Sequence, residues 1–128
     1  MSEFEALDMD SGPQIETSLG TRATLTFLIP LYYNPDANGV RKPVEVEKLQ
    51  QTECEIGRLF SGFHCWYIRG WYRHEETGEE FTDHLVRYEI DAVFTASRLE
   101  LLKSWQRVLE IRFRQHAVYF RFDGPVGF

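Results

Sequence analysis

The stretch Val86-Arg87-Tyr88-Glu89-Ile90-Asp91-Ala92-Val93-Phe94 alternates apolar and charged residues with a period of two. That is the pattern of a β-strand with one face buried and the other in water. A helix would scatter Arg87, Glu89 and Asp91 around its circumference. A strand places all three on one face, opposite Val86, Tyr88, Ile90 and Phe94. This segment is the centre from which the other elements can be ordered.

Upstream, His64 to Arg73 reads as a strand, and Glu75-Glu76-Thr77-Gly78-Glu79 turns it into the central one. A three-residue loop, Glu76 to Gly78, pairs Ile68 with Val86 and Trp66 with Tyr88. A two-residue loop would set Ile68 against Arg87 and mix the faces, so the odd-length loop is expected, with Gly78 at its positive-φ position. Trp66, Ile68 and Tyr72 then share the buried face, and Tyr67, Arg69 and Trp71 the other.

Ala23 to Ile29 is a strand with Leu25, Phe27 and Ile29 on one side; Pro30 should end or bulge its pairing. Asn34-Pro35-Asp36-Ala37-Asn38-Gly39 is turn chemistry. A helix from about Val44 to Phe60 carries Val46, Leu49, Ile56, Leu59 and Phe60 on one stripe, and Gly57 inside it suggests close packing. A second helix starts at Ser97 as N-cap, with Glu100 completing a capping box and Leu99, Leu102, Trp105, Leu109 and Phe113 as its apolar stripe. Ala117 to Phe122 is the last strand.

The order β-α-β-β-α-β is that of the ferredoxin-like α+β sandwich: a four-stranded antiparallel sheet with both helices on one face. The first helix carries four carboxylates against two basic residues, and the second five basic residues against two carboxylates. Packed side by side, the two are complementary.

The chain has 128 residues, 43% of them hydrophobic, enough for one domain with a proper core. Its net charge is −6, and residues 1–21 hold Glu3, Glu5, Asp8, Asp10 and Glu16 with no Lys or Arg. They account for −5, leaving −1 for residues 22–128. Residues 1–21 are therefore expected to be a disordered acidic leader on a single α+β domain, 22–128. A nearly neutral body argues against nucleic acid as a partner. No apolar run is long enough to span a membrane, and no export signal is evident, so a cytoplasmic location is expected.

No motif assigns catalytic residues, metal ligands or a cofactor. His74 to His84 gathers imidazoles and carboxylates, but around a hairpin tip, which reads as a solvated turn. Cys54 and Cys65 lack metal-knuckle or redox spacing and read as small hydrophobes, buried or half-buried. His64 and His116 have no nucleophile arranged beside them. Face parity instead gathers Tyr67, Arg69, Trp71, Arg87, Glu89, Asp91, Tyr119 and Arg121 on the sheet side away from the helices. Aromatics and Arg are enriched in interface cores. The function expected is a protein-interaction or dimerisation module, its partner a second copy or another protein, docked on that open face. The alternative is a small enzyme with a pocket between sheet and helices or between subunits, lined by Trp71, His64 and Tyr32-Tyr33.

Overall fold

The central strand is longer than its alternating stretch. In the computed structural model, which describes residues 20–124, it runs Glu80–Phe94 (β3). Thr21–Pro30 (β1) lies along one side of it and His64–Arg73 (β2) along the other. Arg121–Asp123 (β4) pairs with β1, so the sheet order is β2-β3-β1-β4, antiparallel throughout. Val46–Leu59 (α1) and Ala96–Arg112 (α2) supply the helical layer of an α+β, ferredoxin-like sandwich. The acidic leader lies outside the described residues except for its last two, and Thr21 already belongs to β1.

The alternation in β1 and β3 does what it promised. Leu25, Phe27, Ile29, Val86, Tyr88 and Ile90 are all buried, against Leu49, Ile56, Leu102, Trp105 and Leu109 of the helices. The Trp105 indole meets the Phe27 ring edge-on, with centroids 5.4 Å apart. β1 ends at Pro30, and the chain stays beside β3 through one further bond, Leu31 N–H to the His84 carbonyl at 2.9 Å. The Asp36 carboxylate closes the following turn by accepting from Asn38 and Val40 N–H, and Gly39 there has φ +77°.

Four expectations are corrected. The hairpin loop has four residues, Glu75 to Gly78, closed by His74 N–H to the Glu79 carbonyl and Gly78 N–H to the His74 carbonyl, each 2.8 Å. The His74 ring nitrogen accepts from the Glu76 and Thr77 N–H groups, so the turn has its own chemistry. Tyr67 consequently pairs with Val86, and Trp66 with Arg87. The parity argument assumed that β2 has a buried face, but β2 is an edge strand with no fully buried residue. Burial therefore selects no register for it, and the turn decides.

The α2 cap is Thr95, whose hydroxyl accepts from Arg98 N–H at 3.1 Å; Ser97 lies within the first turn, and Glu100 pairs with Lys103. The last strand keeps only three residues. Ahead of it, Val118 is buried and its backbone belongs to α2: its N–H donates to the Glu110 carboxylate at 3.1 Å, and its carbonyl accepts from Gln106. Those helix side chains take the groups a longer β4 would have spent on β1.

Gly57 marks no close packing, since a Cβ built there meets nothing within 4 Å. Gly57→Ala should therefore raise stability by about 0.5–1 kcal/mol, through helix propensity and a less free unfolded chain. A chemical-denaturation midpoint that falls instead would contradict the open space around that position.

Candidate functional site

The side of the sheet away from the helices carries the odd-numbered residues of β3 and the even-numbered ones of β1 and β2, because directly paired residues share a face. Arg87, Glu89 and Asp91 stand there as expected, with Thr24, Thr26 and Leu28 beside them. Arg87 bonds Glu89 at 3.1 Å and lies over the Trp66 ring at 5.6 Å. The Thr24 hydroxyl donates to Asp91. Arg121, paired with Thr26, reaches Asp123 at 3.2 Å, and Tyr119 stands beside the sheet, 82% exposed.

Tyr67, Arg69 and Trp71 do not join this group. Tyr67 pairs with Val86, which puts all three on the side that carries Val86 and Tyr88. Trp66 and Tyr72 take the places on the open face, and Tyr72 stacks on Phe81 with centroids 5.2 Å apart. The hairpin thus exposes aromatic rings on both faces: Trp66, Tyr72 and Phe81 on one, Tyr67 and Trp71 on the other.

A groove of about 570 Å³ crosses the open face where the chain after α2 stands beside the sheet. Leu28, Pro30, Ile68, Leu85 and Ala117 give it apolar lining, and Arg41, Arg87, Arg121, Asp83 and Asp123 supply its charges. Arg41, from the β1–α1 loop, bonds Asp83 at 2.9 Å and the Tyr33 carbonyl at 3.1 Å. Sequence reasoning missed Arg41 and Asp83. Nothing local distinguishes an Arg in a turn-rich loop, and only the fold brings it over β3. Of the residues named for the alternative pocket, Tyr33 is buried, with its hydroxyl bonded to Glu45 and Lys48, and His64 and Trp71 lie outside the groove lining.

Other polar groups are spent on structure. The Tyr33 hydroxyl is the main reason that the Glu45 carboxyl is lowered to about 2. Cys54 and Cys65 are exposed free thiols, a correction to their expected burial. Cys65 titrates above the ordinary thiol value because of desolvation and the nearby Glu53 carboxylate, the opposite of an activated nucleophile. Among the described residues no three His, Cys, Asp or Glu side chains converge as metal ligands, and no helix is long and apolar enough to cross a membrane.

No family model matches the chain, and no curated protein matches it. Among solved structures it is similar to a phage SAM lyase in complex with S-methyl-5'-thioadenosine, at 13% identity over 82% of each chain with a TM-score of 0.54. It is also similar to CutA from Synechococcus elongatus PCC7942, at 17% identity over 83% of this chain and 78% of that one, with a TM-score of 0.49. At 13% identity, the lyase likeness speaks for the fold alone.

Proposed function

We propose that this domain is a self-association module that adds a second copy of itself along β2. The observation that carries the proposal is the edge strand. β2 is ten residues long, pairs only with β3 among the described strands, and carries exposed aromatics on both faces, Trp66 at 46% on one and Tyr67 at 73% on the other. Soluble proteins usually blunt such an edge with Pro, bulges, inward charges or short length. β2 has no Pro and is not short, and of those devices it carries only the charges of Arg69 and Arg73 on its helix-facing side. Its unpaired backbone groups and its rings are what strand addition uses, hydrogen bonds for affinity and side-chain pockets for specificity.

The strand also complements itself. A two-fold axis at Ile68 would place Tyr67 opposite the partner's Arg69, a cation over a ring, with no like charges opposed. The exposed free thiols of Cys54 and Cys65 suit a reducing compartment, and we place the module in the cytoplasm on that ground.

Tyr67→Lys combined with Trp71→Lys puts charge on the edge as natural proteins do. Sedimentation equilibrium should show association weakened at least about tenfold, with the thermal midpoint of the dilute, dissociated protein unchanged, since both side chains are exposed. A native protein that remains monomeric at its highest soluble concentration overturns the proposal, and so does association that the double variant leaves untouched.

A further inference from the structure

We propose that the groove on the open sheet face binds a small organic monoanion, an aromatic or branched apolar body carrying one carboxylate. The site shares Ile68 with β2 but is built mainly from Leu28, Leu85 and Arg41, none of which lies on the β2 edge, so binding there can be read separately from self-association.

Three features define the ligand. The first is size and lining: about 570 Å³, with Leu28, Ile68, Leu85 and Ala117 contributing apolar surface. Small-molecule sites are of this volume, mostly apolar with a few placed polar groups. The second is charge. The lining holds three guanidiniums and two carboxylates, and Glu89 at its margin engages the third guanidinium, so these pairs balance one another and a ligand's charge has to be met by the donors that they leave over. Asp83 and Asp123 are engaged by Arg41 and Arg121, at 2.9 and 3.2 Å, and Arg87 by Glu89 from its own strand.

The third is unspent donors. A guanidinium has five N–H groups in a rigid fork. Among the described residues the bonds made use two of them on Arg41 and one each on Arg87 and Arg121. Arg41 is the preorganised member, held by a carbonyl and a carboxylate with its side chain 30% exposed. A carboxylate can accept two parallel bonds from such a fork. Tyr119 lines the same groove with a ring open to solvent, and can stack on a planar body.

The test uses three probes of one shape: 2-naphthoate, the neutral 2-naphthylmethanol and the cationic 2-naphthylmethylammonium. Titration calorimetry gives affinities, and amide chemical shifts locate binding. Saturable 2-naphthoate binding is expected, with shifts concentrated at Leu28, Leu85 and Ala117, and at least about tenfold weaker binding of the other two. Arg41→Gln should erase that preference while leaving the weak binding of the alcohol in place. Should Arg41→Gln fail to fold, Leu28→Asp and Leu28→Lys serve in its place, because Leu28 is exposed. Asp should abolish 2-naphthoate binding and Lys should preserve it. Absence of saturable binding overturns the proposal, as do equal affinities for the three probes, shifts centred on the hairpin rings, or indifference to Arg41 or to the charge at position 28.

Discussion

Glu55→Ala should lower the unfolding free energy by about 3–5 kcal/mol, because it strands a buried guanidinium. Glu55 and Arg112 face each other between α1 and α2 with side chains only 4% and 7% exposed, joined by two bonds of 2.7 and 2.6 Å. The same carboxylate accepts from the Trp105 indole N–H at 2.9 Å, and Arg112 also donates to the Thr52 hydroxyl at 2.9 Å. Removing the carboxylate leaves Thr52 as the side-chain partner of Arg112 among the described residues and takes one bond from the indole, so the desolvation penalty of the guanidinium appears. The pair itself need not be worth that much. Glu55→Leu with Arg112→Leu should recover much of the loss, since apolar replacement of a whole buried pair is often neutral. Urea denaturation of the three variants decides. A single-variant loss below about 1 kcal/mol, the range of an exposed pair, would mean that water reaches this network.

Tyr88→Asp should abolish folding, whereas the neighbouring Arg87→Asp should be tolerated. Tyr88 is fully buried, stacked on Phe27 at 5.3 Å, and its hydroxyl donates to the Glu53 carboxylate at 2.7 Å. Aspartate there removes the ring and buries an unpaired carboxylate beside Glu53, a cost comparable with the roughly 5–15 kcal/mol that holds a domain together. Arg87 stands on the solvated face, and its replacement forfeits an exposed ion pair with Glu89 and a contact with Trp66, about 1 kcal/mol.

Far-ultraviolet dichroism and thermal melts separate the two outcomes, and the reverse order of severity would invert the faces of β3. Alkaline titration gives a second readout. Burial first, then the Glu53 bond, push the Tyr88 hydroxyl well above its ordinary value of 10.0. The folded state therefore keeps a proton that the unfolded chain releases, so this contribution is complete below about pH 10 and declines above it. Tyr88→Phe should remove that part of the alkaline loss.

What the chain determined by itself is whatever depends on a solvent boundary close along the sequence. The two-residue period of Val86 to Phe94 and of Ala23 to Ile29 sorted inside from outside, because both strands press one face on helices. The stripes Leu49-Ile56-Leu59 and Leu102-Trp105-Leu109 placed both helices, and the element order then implied the sheet. The complementary charge of the two helices was legible as well; that it condenses into one buried pair, Glu55 with Arg112, was not, since burial depends on which helix faces meet.

Tertiary structure decided the rest. The register of β2 follows its turn, since an edge strand exposed on both sides offers burial nothing to choose between. That exchange moved Tyr67, Arg69 and Trp71 off the open face and put Trp66 under Arg87. Capture of the Val118 backbone by Gln106 and Glu110 shortened β4. The groove joins Arg41 to Asp83 across 42 positions of chain. No local pattern encodes such a pairing, because its ends meet only after the sheet has closed between them.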